Sequence, residues 1–325
     1  MRFATRANGQ PDGRLHLVDR TNTHAVQAHA ATTLQAVLDD WDALAPALEA
    51  EYAALNAGDA SNTIPFATAG WLAPLPRAWQ WLDASAFASH GELMQQVFGF
   101  SAVHPTGAPL MYQGVSDRFL GPEEDVPFRE VADQIDFEGE FGIVTDAVPL
   151  GITAAGARGH IRLLVQINDW SLRRLGPIEM KTGFGVIQCK PRSTMAPIAV
   201  TPDEIGAQWG DCRIALPLEV DYNGERFGRA NGATMSVGFD TLVEHAAYSR
   251  DLVAGTVIGS GTVSNSNFRE VGSSCISERR AIEMQDTGQP ATGFMHYGDT
   301  VRMECRTSVG EPLFGAINQR VVPIA

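Results

Sequence analysis

Ile161-Arg162-Leu163-Leu164-Val165-Gln166-Ile167-Asn168-Asp169-Trp170-Ser171-Leu172-Arg173 begins as an apolar run and ends in an amide, a carboxylate and a guanidinium. Ile161, Leu163, Leu164, Val165 and Ile167 do not alternate with polar residues, which is the pattern of a strand covered on both faces. A carboxylate at the mouth of such a strand needs a cation, because burying an unpaired charge costs several kcal/mol. For Asp169 the sequence offers Arg173, Lys190 or a metal ion. A helix-capping Asp paired to Arg173 is the plain alternative.

The chain has 325 residues, enough for two domains, and 44% hydrophobic residues, enough for a sizeable core. Its net charge of −14, with basic pairs only at Arg173-Arg174 and Arg279-Arg280, argues against a nucleic-acid surface. No apolar run approaches the roughly 20 residues of a membrane span, and no secretory segment follows Met1. Cys189, Cys212, Cys275 and Cys305 stand far apart without a C-x-x-C pair, so zinc and redox motifs lack support. A cytoplasmic protein is expected.

Outward from the opening stretch, residues 1–75 are expected to form a small α+β domain and 76–325 the catalytic one. Arg14-Leu15-His16-Leu17-Val18 alternates as a strand, and Leu34, Val37, Leu38, Trp41 and Leu44 recur at helical spacing. Pro46 predicts a break, with a second helix opening near it and running to Gly58. Pro74 and Pro76 suit a stiff linker. Phe87, Leu93, Met94, Val97 and Phe98 then predict a helix carrying His90, and Asp83 shares its face if the helix extends back that far.

Residues 101–130, including Tyr112-Gln113-Gly114, carry turn signals rather than periodicity. In Ile135-Asp136-Phe137-Glu138-Gly139-Glu140-Phe141 strict alternation places Asp136, Glu138 and Glu140 on one face. Adjacent carboxylates repel unless they are solvated or share a cation, so an exposed edge and a cation site both remain open. Pro217 to Tyr222 leads through Asn223-Gly224 into Arg226, a hairpin signature. The glycine-rich run Gly255 to Ser264 fits neither a dinucleotide nor a phosphate loop and reads as a tight corner between strands. Asp299 to Arg306 and Pro312 to Val322 alternate as strands. Many strands without a βαβ rhythm predict an α+β chain, mostly β, with a mixed or antiparallel sheet.

Asp83, Glu138, Glu140 and Asp169 offer oxygen-only ligands, which suit Mg²⁺, Ca²⁺ or Mn²⁺ rather than zinc. Asp83 with His90, Tyr112-Gln113-Gly114, Glu138-Gly139-Glu140, Asn168 through Arg173, Lys190 with Thr194 and Pro197, and Gly259-Ser260-Gly261-Thr262 follow one another in this order. Together these motifs resemble the fumarylacetoacetate hydrolase family across residues 79–322. The resemblance implies a mixed β-roll or β-sandwich catalytic domain behind a small N-terminal domain, in a homodimer. It implies that Asp83, Glu138, Glu140 and Asp169 hold a divalent cation and that His90, partnered by Glu278, activates water. Arg173 and Lys190 would stabilise oxyanions, and Tyr112 and Thr262 would contact substrate. By the same resemblance Glu278 lies in a strand, two residues beyond Ile276, the ungapped match. Ser85 and Gly99 stand where the family has a substrate-binding tyrosine and arginine. The implied reaction is hydrolysis of a carbon–carbon bond in a 1,3-diketo acid, with fumarylacetoacetate giving fumarate and acetoacetate. An acylpyruvate hydrolase, a 2-keto acid decarboxylase or hydratase, and a catalytically silent metal- or ligand-binding homodimer are the alternatives.

Overall fold

A computed structural model of the chain describes residues 1–68, 70–98 and 107–324; Gly99 lies outside them. The fold is α+β and mostly β, built on two sheets. Among the described residues the larger sheet runs in the order Ile64–Pro65, His24–Gln27, Arg14–Val18, Arg2–Arg6, Ile198–Val200, Ile161–Asn168, Gly139–Thr145, Thr256–Gly259, Gln80–Ala84 and Met111–Gly114. Its pairs are antiparallel except Thr256–Gly259 beside Gln80–Ala84, which makes the sheet mixed. The smaller sheet runs Glu225–Asn231, Pro217–Tyr222, Thr300–Arg306, Pro312–Pro323 and Val126–Phe128.

The central strand Ile161–Asn168 is apolar throughout because both of its faces are covered. Leu164 joins Phe141, Ile143 and Ile198 in a core shared with Leu218, Val220, Met303 and Ile317 of the smaller sheet. Leu163, Val165 and Ile167 face the other way, against Leu34, Val37, Leu48 and Tyr52 of the N-terminal helices. Arg2–Arg6 pairs with Ile198–Val200, so the N-terminal strands extend the same sheet.

Several elements differ from the sequence reading. Pro46 does not open a helix: the break falls at Asp40, and Pro46 lies inside Trp41–Ala57. Near the N-terminal end a proline gives up one intrahelical bond and the rest of the helix compensates. Gly58 does end that helix, in the left-handed conformation at φ 81°. Asp83 lies on the strand Gln80–Ala84, and the helix begins only at Ala88. Met111–Gly114 is an edge strand rather than a turn. Asp136 and Glu140 belong to separate strands, Ile135–Asp136 and Gly139–Thr145, with Glu138 between them, and all three acids are buried. Glu278 sits on the helix Ile276–Thr287, not on a strand. The hairpin through Asn223-Gly224 forms as the turn dipeptide predicts, with both residues at positive φ.

Candidate active site

Three strands of the larger sheet, two of them adjacent and the third beyond Thr256–Gly259, deliver three acids to one spot. Asp83 comes from Gln80–Ala84, Glu140 from Gly139–Thr145, and Asp169 follows the end of Ile161–Asn168. Their carboxylates are buried and each offers an oxygen within 4.8 Å of the others. The close approach depends on glycine: a Cβ on Gly259, which pairs with Asp83 across the sheet, would lie 2.5 Å from Asp83 Oδ1. Gly261, at φ 77°, turns its N–H toward the same oxygen and donates to it at 3.1 Å.

The rest of the site divides these acids by their partners. Asp169 accepts from Ser193 Oγ at 2.7 Å, and from Tyr112 Oη and Lys190 Nζ at 2.5 Å each. Glu138 accepts from Ser171 Oγ at 2.5 Å, Thr262 Oγ1 at 2.6 Å and Lys190 Nζ at 2.8 Å. Arg173 Nη2 also lies 2.9 Å from Glu138 Oε1. Both oxygens of Glu140, by contrast, are buried without a hydrogen-bond partner. Burial, and then the neighbouring Asp83 and Asp169 carboxylates, push Glu140 well above the usual carboxylate range. Burial and Asp169 likewise push Asp83 up to about 8. Burial acts the same way on Glu138, but Arg173, Lys190 and His90 overcome it and hold Glu138 well below that range.

A buried carboxylate without a donor, beside two others, is a donor set that fits a hard cation. Lys190 and Arg173 face these four carboxylates, and Arg173 is also shared with Asp136, so negative charge is left over that a divalent ion would offset. The residues that can hold it are Asp83, Glu140 and Asp169; Glu138 stands beside them, tied to the two cations.

His90 and Glu278 reach each other although they are far apart in sequence. The helix Ala88–Phe98 packs on Ile276–Thr287 through Leu93, Ala281 and Ile282. That contact sets His90 Nδ1 2.8 Å from Glu278 Oε2, with Glu278 fully buried. Arg173 Nε donates to Asp136 Oδ2 at 2.8 Å, whereas its buried Nη2 has no aligned acceptor. Asp83, His90, Tyr112, Glu138, Arg173, Lys190 and Thr262 all line one cavity of about 380 Å³. Sequence reasoning missed Asp136, Ser171 and Ser193 as supports. Asp136 carried a signal in its alternation with the two glutamates; Ser193 carried none beyond its place next to Lys190.

Comparison with known proteins places this geometry. The family model for the fumarylacetoacetate (FAA) hydrolase C-terminal domain matches residues 80–322, and that for fumarylacetoacetase N-terminal domain 2 matches residues 1–77. The chain belongs to the fumarylacetoacetate hydrolase family. A protein of Burkholderia lata with a provisional hydrolase name is 25% identical over 159 residues, which is 47% of this chain and 53% of that protein. The chain thus spans about half the length of the curated relatives it matches. Among solved structures, maleylpyruvate hydrolase from Sphingobium sp. SYK-6 superposes at TM-score 0.67 with 15% identity, over 100% of both chains. The 5-carboxymethyl-2-hydroxymuconate delta-isomerase of Mycobacterium smegmatis does so at 0.64 with 18% identity, again over 100% of each. At these identities the likeness to fumarylacetoacetate hydrolase family structures is one of fold. Among the described residues no helix is long and apolar enough to cross a membrane.

Proposed function

We propose that the chain hydrolyses a carbon–carbon bond of a 1,3-diketo acid with the help of a divalent cation, Mg²⁺, Ca²⁺ or Mn²⁺. The observation that carries the reading is the buried triad of Asp83, Glu140 and Asp169, with neither Glu140 oxygen paired. A maleylpyruvate hydrolase of the same fold, solved with manganese(II) and pyruvate, supports it. When bound, such an ion supplies positive charge to the keto oxygens of the substrate.

The chain's own residues supply the rest. With Nδ1 donating to Glu278, His90 presents Nε2 as the base that takes a proton from water. The hydroxide adds to the carbonyl, and the oxyanion meets Arg173 Nη2, which is ion-paired to Glu138 but makes no aligned hydrogen bond, and the ammonium of Lys190. The carbon–carbon bond breaks, and its electron pair leaves as an enolate, which becomes the ketone by taking back the proton that His90 removed from water. The products are a carboxylic acid and a ketone or keto acid. Burial works against the charge on Lys190, but Asp169 and Glu138 more than offset it, so this lysine stays an ammonium throughout. Tyr112 and Thr262 line the cavity as substrate contacts, and the working unit proposed on the family resemblance is a cytoplasmic homodimer.

The test is a metal-supplemented assay of diketone absorbance across fumarylacetoacetate, fumarylpyruvate and simple acylpyruvates. His90→Ala is expected to lower kcat by roughly 10²- to 10⁴-fold. Full activity in that variant removes His90 as the base. Decarboxylation, hydration or isomerisation products in place of two fragments assign the site to another reaction of the family. Metal binding without turnover of any diketone leaves a binding protein.

A further inference from the structure

We infer that the outer end of the substrate is an uncharged, apolar acyl tail rather than a second carboxylate. The inference rests on the diketo-acid reading above and narrows its substrate class from diacids such as fumarylacetoacetate to acylpyruvate-like monoacids.

The cavity of about 380 Å³ has a charged floor and apolar walls. Asp83 and Glu138 at the floor are buried. Met94, Leu110, Leu172, Pro177 and Val186 on the walls are half-buried, and Met180 is 57% exposed, so these six mark the way out. Among the described residues the cations lining the cavity, His90 aside, are Arg173 and Lys190, and both are committed at the floor. Arg173 pairs with Asp136 and Glu138, Lys190 with Glu138 and Asp169. At the walls the uncharged polar side chains are those of Ser85 and Gln95.

A second carboxylate lodged there would lose water without gaining a cation, and the chain's charge of −14 adds repulsion. A methylene in the same place contributes about 0.8 kcal/mol, roughly a fourfold gain in affinity for each one that fits. The walls therefore discriminate by tail polarity, while the floor is left to recognise the diketo acid.

The experiment compares pairs that differ only at the far end. Calorimetric titration of the manganese-loaded protein with 2-oxohexanoate and with 2-oxoadipate separates a terminal methyl from a terminal carboxylate at equal carbon count. The monoacid is expected to bind roughly tenfold tighter or more; equal or tighter binding of the diacid overturns the inference. Gln95→Arg and Met180→Arg place a cation on two partly exposed wall positions, where folding is not at stake. Either is expected to shift the ratio toward the diacid by roughly fivefold or more, and an unchanged ratio in both folded variants overturns the assignment of the walls. Turnover of crotonylpyruvate and fumarylpyruvate is measured separately. A binding preference for the monoacid with turnover of neither upholds the tail assignment and removes the hydrolase reading. Faster turnover of fumarylpyruvate upholds the hydrolase and overturns the tail.

Discussion

Asp136 performs no chemistry, yet two functional side chains depend on it. Its Oδ1 accepts from Ile276 N at 2.7 Å, and its Oδ2 accepts from Ser277 N at 2.9 Å and Arg173 Nε at 2.8 Å. The carboxylate thereby caps the helix Ile276–Thr287, whose Glu278 faces His90, and also aims Arg173. The cap at Cys275 is a thiol, a weak acceptor, so the charged cap is Asp136. Removing one member of a buried pair leaves the other uncompensated at about 3 kcal/mol or more. Asp136→Ala is accordingly expected to lose roughly that much stability in urea unfolding. Its kcat should fall by at least about tenfold, because two groups lose their aim at once. Unchanged kcat in the folded variant would show that Arg173 and Glu278 hold their places without Asp136.

At the scale of elements, one short segment sets a wall of the cavity and the approach to Lys190. Glu179, on the short helix Gly176–Met180, accepts from the backbone N–H groups of Ile187, Gln188 and Cys189 at 2.9 to 3.1 Å. Burial pushes the Glu179 carboxyl up, but the Cys189 thiol and these amides bring it down to about 2. It therefore stays ionised across the working pH range. The staple closes a loop that is otherwise exposed, with Phe184 97% and Ile187 84% accessible, and the next residue after its last bond is Lys190. Glu179→Ala is expected to speed proteolysis within 181–188 severalfold and to lower kcat/KM about tenfold, with little change in global unfolding. Wild-type cleavage rates in that variant would show that the loop is held elsewhere. Features of this kind explain what was legible in the sequence. Asn223-Gly224 encodes its turn locally, and the run from Ile161 to Ile167 announces burial on both faces, so both were readable. The seven-residue spacing of Asp83 and His90 puts both on one helical face only if the helix reaches back to Asp83, which it does not; Asp83 is held by its sheet pairing with Gly259. The strand expected for Glu278 came from the family resemblance, whereas its place opposite His90 is set by packing of Leu93 on Ala281 and Ile282, which no local pattern records.

At the scale of the whole molecule, the four acids are a liability that the fold tolerates only while something neutralises them. They stand on or beside strands of the larger sheet, which lies between the core shared with the smaller sheet and the core under the N-terminal helices, so strain there reaches both. Asp83 and Glu140 have raised values in the folded chain, from burial first and then from neighbouring carboxylates, Asp169 on Asp83 and Asp83 with Asp169 on Glu140. A carboxyl of this kind contributes stability that is whole below its unfolded value near 4 and is lost as pH rises through its folded value. For Asp83 that loss runs progressively from its unfolded value and is complete near about 8. Glu138 works in the opposite sense: its contribution is present above about 4.5 and is lost only as pH falls through its depressed folded value. Metal-free protein should therefore weaken between roughly pH 5 and pH 9, as protons leave acids that have no other partner. A bound divalent cation replaces those protons and removes the loss. The expected outcome is a Tm difference between manganese-loaded and chelator-treated protein that is small at pH 5 and widens steadily through pH 8. Scanning calorimetry in matched buffers measures it, and because both samples share every other titrating group, the difference isolates this cluster. A difference that stays constant with pH would show that the cation, if it binds, binds elsewhere than at Asp83, Glu140 and Asp169.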